Sequence, residues 1–178
     1  MKKINFIRFV SIALAAIAVQ AAHADQNGES IAYLGVGAAK KGNATESSRS
    51  PFAIGYLKLS NTSNAIWGFD FSREGTMLDS TWSQNNAVKQ ASSYNLLFGT
   101  NFSKSENYRV DFALLAGARE KTSDCPSSFL GYQCYANAKP DTSYAFNYGA
   151  VISYTYKSLM LGVRATGESA QGLLGLRF

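Results

Sequence analysis

The segment Gln171-Gly-Leu-Leu-Gly-Leu-Arg-Phe178, at the end of the 178-residue chain, decides the fold. One face of this segment, taken as an extended chain, carries Leu174, Leu176 and Phe178. The opposite face carries Arg177. A period of two residues is typical of a β-strand, because successive side chains point to opposite faces of the sheet. The sequence therefore predicts a strand that reaches the last residue, with one apolar face and an arginine on the other.

Residues 144–156 show the same alternation over a longer stretch. One face is aromatic at both ends and aliphatic in the middle, whereas the other face is small and polar. A strand of a soluble sandwich has no reason to carry aromatic residues at both ends. A lipid-facing strand does, because such residues favour the two membrane–water interfaces.

Six further segments alternate in the same way, which makes eight predicted strands. Their lengths agree with the roughly 9–11 residues of a tilted membrane-spanning strand. An even number of antiparallel strands can close into a barrel that has no free sheet edge. Long links are expected at 40–51, 74–90 and 120–143, and short links at 61–64, 103–107, 157–158 and 167–168. The six segments are 31–39, 52–60, 65–73, 94–102, 108–119 and 159–166.

The first 24 residues have the composition of a cleaved signal peptide. Lys2, Lys3 and Arg8 precede an apolar stretch, and Ala22 and Ala24 fit the rule of small residues at a cleavage site. The apolar stretch is shorter than the roughly 20 residues of a membrane-spanning helix. The predicted domains are therefore the signal peptide (1–24) and one barrel domain (25–178). Without its three leader cations the chain retains a net charge of +2, and it has no basic run that would favour nucleic-acid binding.

These patterns resemble the small eight-stranded outer-membrane β-barrels of Gram-negative bacteria: the OmpX/Ail group, the OmpA membrane domain and related porin-family proteins. The resemblance implies an all-β, eight-stranded antiparallel up-and-down transmembrane barrel in the outer membrane, exported through the periplasm. It also implies contacts with outer-membrane lipid and lipopolysaccharide. In this family a terminal aromatic residue is read by the barrel assembly machinery, which suggests that role for Phe178 together with Leu176 and Leu174.

Histidine content argues against most enzyme classes. The single histidine of the chain, His23, lies in the predicted leader. Histidine is the usual base near neutral pH, and the enzymes among the small outer-membrane barrels resemble one another in using one. A site built from carboxylates or lysine alone is the remaining alternative. We expect no catalytic activity, no cofactor and no metal.

Two cysteines, Cys125 and Cys134, lie in the longest predicted loop. Paired cysteines in an exported chain usually form a disulfide. Metal binding is the less favoured alternative, because the loop has no histidine to complete a ligand set. The same loop contains Tyr132 and Tyr135, and the preceding long loop contains Trp82. We expect these three aromatic residues to be contact candidates.

Six charged residues fall on the inward-facing positions of the predicted strands. One hypothesis is an ion-conducting lumen, and the other is a packed, salt-bridged interior. The second is favoured because an eight-stranded barrel is only wide enough for side chains to fill it. Two acids against four arginines would require water or backbone partners, and Glu74 is counted among the charges of the outer loops. The six residues are Asp70, Asp111, Arg109, Arg119, Arg164 and Arg177.

The sequence thus favours a non-enzymatic outer-membrane protein whose outer loops mediate adhesion, resistance to host defence or envelope stabilisation. We expect it to be a monomer with a host or surface ligand and no nucleic-acid partner. A narrow channel for small solutes is one alternative. Another is a soluble periplasmic lipid-binding barrel, which would reverse the predicted pattern by facing apolar residues inward and polar residues outward.

Overall fold

Eight antiparallel β-strands form a closed barrel in the computed structural model, which describes residues 29–39, 49–60, 63–78, 88–122 and 142–178. Each strand pairs with the next along the chain, and the last pairs with the first. The predicted closed eight-stranded barrel is confirmed, and the ring leaves no free edge. The strands are β1 (Ser30–Ala39), β2 (Phe52–Leu59), β3 (Ala65–Leu78), β4 (Val88–Lys104), β5 (Tyr108–Thr122), β6 (Thr142–Tyr156), β7 (Leu159–Thr166) and β8 (Ser169–Arg177).

Two backbone hydrogen bonds join the start of β1 to the residue after β8. The Ser30 N–H donates to the Phe178 carbonyl at 2.8 Å, and the Phe178 N–H donates to the Ser30 carbonyl at 2.9 Å. The two strands remain paired as far as Ala39 and Ser169. Both ends of the barrel chain therefore lie at one end of the barrel, which we call the lower end. The opposite end is the upper end.

The barrel wall is higher on one side than on the other. Strands β3 to β6 have 14 to 17 residues each, whereas β1, β2, β7 and β8 have 8 to 10. The sequence-based ends of β3, β4 and β5 at the upper end were wrong, because these strands continue to Leu78, Val88 and Thr122. The apolar–polar alternation fades there, but backbone pairing depends little on side chains and continues past a bulge between Arg73 and Thr76.

The four short connections lie close to their predicted positions. Three of them, at 60–64, 105–107 and 157–158, are at the lower end. The fourth, at 167–168, joins β7 to β8 at the upper end and is only two residues long, as the sequence indicates.

Within the described ranges, no helix is both long and apolar enough to cross a membrane.

Side chains alternate between the barrel interior and the outer surface along the strands. On β6, Val151 is 1% exposed and its neighbour Ile152 is 56% exposed. On β8, Leu173 is buried and Leu174 is exposed, as the C-terminal alternation predicts. Many of the large apolar side chains are therefore on the outside of the barrel. The exposed ones include Trp67, Phe69, Tyr94, Leu96, Phe98, Phe102, Leu114, Tyr144, Phe146, Tyr148, Tyr154, Tyr156, Leu161, Val163 and Leu176.

Candidate functional site

A layer of buried apolar side chains crosses the barrel interior, and all eight strands contribute to it. Leu57, Leu97 and Val151 in this layer are at most 1% exposed. The packed, salt-bridged interior predicted from the sequence is therefore only part of the interior, because this apolar layer accompanies the ionic groups. Apolar side chains fill the narrow barrel without needing hydrogen-bond partners, which buried polar groups require. The layer consists of Ile31, Tyr33, Leu57, Leu59, Ile66, Leu97, Ala113, Val151, Met160 and Leu173.

Arg164 on β7 binds two acids of β3 in the upper part of the interior. Its Nη2 lies 2.8 Å from Oδ1 of Asp70, and its Nη1 lies 2.8 Å from Oε2 of Glu74; all three side chains are fully buried. β3 and β7 are four places apart in the ring of eight, so the guanidinium group connects opposite walls. The Tyr33 hydroxyl and the Asn95 amide also donate to Asp70, at 2.9 and 2.8 Å. Each buried charge is thus both paired and hydrogen-bonded, as burial requires.

The Glu74 carboxylate accepts hydrogen bonds from side chains on five strands. Besides Arg164, the nearest are the Ser169 hydroxyl at 2.6 Å and the Thr166 hydroxyl at 2.7 Å. The other donors are the Ser72 hydroxyl at 2.9 Å, the Ser93 hydroxyl at 3.0 Å and the Asn147 amide at 3.1 Å. These six residues form a cage of donors around one buried anion, and we call them the Glu74 cage.

A second ionic group lies at the lower end. Arg109 on β5 contacts Asp111 at 2.8 Å and reaches Glu29, just before β1, at 3.0 Å. Arg177 and Lys104 also approach the Glu29 carboxylate, at 3.6 and 4.0 Å. β1 and β5 are again four places apart in the ring, so this group connects a second pair of opposite strands. Arg109 and Asp111 are buried, whereas the Glu29 side chain is one-third exposed.

At the upper rim the contacts are more exposed. Arg119 on β5 contacts Glu168 of the short β7–β8 turn at 2.8 Å. The Glu120 carboxylate accepts the Ser92 N–H at 2.8 Å. These contacts tie the high wall of the barrel to its low side and hold neighbouring strands of the high wall together.

The structure places the six predicted interior charges in three separate groups. Arg164 and Asp70 belong to the upper group, Arg119 belongs to the rim, and the other three belong to the lower group. The expected shortage of acids was wrong, because three glutamates complete the pairs. These glutamates, which sequence reasoning missed, are Glu29, Glu74 and Glu168.

Glu74 was assigned to an outer loop because the predicted β3 ended at Arg73. Inward-facing positions recur every two residues at Asp70 and Ser72, and Glu74 is the next of them. The alternation alone would therefore have been enough to predict that Glu74 lies in the interior. Glu29 and Glu168 lie outside strands, and no periodicity marks them.

The interior pattern bears on the two alternative functions. A soluble lipid-binding barrel would have an apolar interior and a polar surface, whereas here ionic groups are inside and aromatic rings are outside. A channel would need a polar path along the axis, and the apolar layer crosses that path. The described interior and surface therefore favour neither alternative.

The outer surface differs around the ring. Aromatic residues pack across neighbouring strands on the β3–β6 side, for example Phe71 with Tyr94 at 5.4 Å and Tyr108 with Tyr154 at 6.3 Å between ring centroids. The outward positions of β7, β8 and β1 carry small or aliphatic residues instead, up to Phe178. The aromatic belt therefore covers the side of the barrel that has the higher wall.

Several predicted residues lie outside the described ranges. These are the leader with Ala22 and Ala24, the cysteines Cys125 and Cys134, and the contact candidates Trp82, Tyr132 and Tyr135. Among the residues that the structure does describe, no three His, Cys, Asp or Glu side chains are grouped as metal ligands.

Phe178 is half-buried, and Leu174 and Leu176 are exposed on the same outer face. Its backbone is engaged with Ser30, so its ring is held at the junction of β1 and β8 at the lower end.

No protein-family model and no curated protein sequence matches the chain. Among solved structures, the chain is similar to the Yersinia pestis outer-membrane protein Ail in a phospholipid nanodisc, with 13% identity over 86% of this chain and 99% of that chain and a TM-score of 0.46. It is also similar to Ail crystallised in complex with the heparin analogue sucrose octasulfate, with 17% identity over 85% and 97% of the two chains and a TM-score of 0.42.

Proposed function

We propose that this chain is an integral outer-membrane β-barrel without catalytic activity that holds loops at the bacterial surface for contact with ligands. The observation that carries the proposal is an exposed apolar belt around a filled, ion-paired interior. The exposed belt is the support for the membrane location, and the filled interior is the support for the role of the barrel in that membrane.

The exposed apolar belt would be energetically unfavourable in water. Burying one large apolar side chain contributes about 1.5–3 kcal/mol, so a ring of exposed aromatic and aliphatic residues would drive aggregation in water. In a bilayer the same residues are solvated by lipid, and a closed ring satisfies the backbone groups that lipid cannot. The shorter strands, with 8–10 residues, would cover roughly 19–23 Å when tilted by about 45°, close to the apolar band of such barrels.

The proposed orientation follows from the connections. Barrels of this architecture have short periplasmic turns and longer outer loops, so the upper end faces outward. The braced interior then acts as a rigid base, on which the long links carry the contact candidates Trp82, Tyr132 and Tyr135. Aromatic side chains are frequent anchors of interfaces.

Lipid partners belong to the same proposal. Arg73 and Lys121 lie near the upper end, where the phosphates of lipopolysaccharide would be within reach of a guanidinium or ammonium group. Phe178 would present its ring to the assembly machinery at the lower end. The barrel, closed on itself, would act as a monomer without a nucleic-acid partner.

The first experiment tests location and closure together. Cells that express the chain are fractionated, and the outer-membrane fraction is run on a gel with and without boiling. We expect a compact band in detergent that shifts only after boiling. Recovery in the soluble periplasm without any heat-dependent shift would overturn the proposal.

The second experiment tests the loops. Trp82→Ala and the double variant Tyr132→Ala/Tyr135→Ala are compared with Tyr156→Ala, a control at the lower end of the barrel. The readouts are attachment of expressing bacteria to an epithelial cell layer and their survival in serum. Equal loss in the control, or no loss in the loop variants, would argue against the aromatic loop residues as the contact site.

A further inference from the structure

The Glu74 cage gathers more donors than a paired carboxylate needs. Six residues on five strands bring a donor atom within 3.1 Å of its two oxygens. A carboxylate offers about four lone-pair positions, and the Arg164 guanidinium already satisfies part of them in a two-pronged contact. The remaining donors are neutral groups that lie around the same point. The cage therefore has the composition of an oxyanion-binding site.

The acid that fills the cage lies on an irregular piece of backbone. Glu74 is followed by Gly75, whose φ of 69° is in the left-handed region. The β3–β4 register shifts between Arg73 and Thr76, so the bulge contains both residues. Glu74 keeps the inward position that the regular alternation gives it, and the bulge changes the inward positions only beyond it, where Met77 is buried. Glycine suits position 75 because a side chain there would be strained and would lie close to the Glu168 carboxylate.

Beyond the bulge, β3 and β4 continue as the upper part of the high wall. Thr76 pairs with Gln90 and Met77 pairs with Lys89, and the Gln90 amide donates to the carbonyls of Arg49 and Ser50 at 2.8 and 3.1 Å. Glu74 is the last interior acid of β3 before this extension. Its contacts with Thr166 and Ser169 join the extension to the low side across the interior.

We propose that the cage is a carboxylate-binding site filled by the chain's own Glu74, and that this occupancy latches the upper β3–β4 extension to the rest of the barrel. The cage would accept a small free carboxylate of matching length when the side chain of Glu74 is shortened. This inference rests on the barrel interior and not on the membrane location.

Chemical rescue tests the site directly. In Glu74→Ala the missing part of the side chain is equivalent to acetate, and in Glu74→Gly it is equivalent to propionate. We expect both purified variants to lose their heat-resistant compact form at lower temperature than the unchanged protein. Acetate should restore Glu74→Ala better than propionate, and propionate should restore Glu74→Gly better than acetate. Acetamide and chloride at matched concentration should restore neither.

The latch has its own readout. Hydrogen exchange of the backbone amides in residues 74–78 and 88–92 should become faster in Glu74→Ala and return toward the original rate with acetate. Exchange in the lower half of β3 should change little. Unchanged exchange in the upper segment would overturn the latch, and loss of the compact form without rescue by any carboxylate would overturn the site.

If Glu74→Ala and Glu74→Gly do not fold, Glu74→Gln provides a further test of the proposal. Glutamine fills the same volume but places an NH2 donor among donors, so the variant should be destabilised and insensitive to acetate. A Glu74→Gln barrel as heat-resistant as the unchanged protein would show that the cage does not select an anion, and the proposal would be wrong.

Discussion

Arg164 and Asp70 are 94 residues apart in the sequence and meet at 2.8 Å across the barrel interior, from opposite walls of the ring. At the lower end, Arg109 and Glu29 make a corresponding contact at 3.0 Å between a second pair of opposite sides of the ring. The apolar layer also draws on every strand. The barrel is thus braced internally in two directions, in addition to the hydrogen bonds of its wall.

Replacing Arg164 with Met should destabilise the barrel strongly, because Asp70 and Glu74 would remain buried without a counter-charge. Breaking a buried ion pair in this way costs roughly 3–5 kcal/mol. Denaturant unfolding in detergent micelles measures the effect. Arg177→Gln is the matched control, because the Arg177 side chain is partly exposed and its contact with Glu29 is longer; it should cost much less.

The triple variant Asp70→Asn/Glu74→Gln/Arg164→Met removes the acids together with the arginine. It should be more stable than Arg164→Met alone, since no unpaired charge remains in the interior. A triple variant that is less stable than the single one would mean that hydrogen bonding, and not charge pairing, dominates this group.

The purified protein should be silent in planar bilayers. Side chains of all eight strands form the apolar layer, and neither Arg164 nor Asp111 belongs to it, so Arg164→Ala and Asp111→Ala should also be silent. Single-channel recording is the measurement. Discrete conductance steps that change in either variant would instead support the channel function.

A charge in the middle of the outer belt should disturb insertion more than a charge at its margin. Ile152→Arg should cost about 2–4 kcal/mol, whereas Tyr156→Arg near the lower end should cost about 0–1 kcal/mol, since the penalty depends on depth in the bilayer. Folding into lipid vesicles with a denaturant gradient measures both. Equal, small effects would contradict the assignment of this surface to lipid.

Cys125 and Cys134 should be joined by a disulfide in the exported protein. Mass spectrometry after alkylation, with and without reductant, should show two modified cysteines only after reduction. The double variant Cys125→Ser/Cys134→Ser should keep its heat-resistant barrel, because the eight described strands close the barrel without either residue. Alkylation of both cysteines without reductant would show that the prediction is wrong.

Phe178→Ala separates assembly in cells from intrinsic folding. The backbone pairing with Ser30 does not need the ring, so refolding of the purified variant in detergent should be nearly unchanged. Assembly in cells should fall, with unfolded chain accumulating in the periplasm. Leu161→Ala on the outer face of β7, outside the C-terminal segment, is the control. If Phe178→Ala assembled as well as the unchanged protein, the terminal ring would not be part of the assembly signal.

The sequence by itself determined the strands, their inward and outward faces and their closure into a barrel. Alternation with a period of two is a local property, and it is readable in residues 144–156 and in the C-terminal segment without knowledge of any partner. Ile152 and Leu174 therefore lie outside and Val151 and Leu173 inside, as their positions in the pattern indicate.

Only the tertiary structure decided which charges meet. Arg164 could be assigned to the interior from its position in β7, but its pairing with Asp70 and Glu74 depends on closure of the ring and on relative strand height. The continuation of β3 past Arg73 placed Glu74 inside, at the next position of the alternation, and the turn between β7 and β8 placed Glu168 beside Arg119. Alternation specifies a face, whereas the partner across the barrel is set by the geometry of all eight strands together.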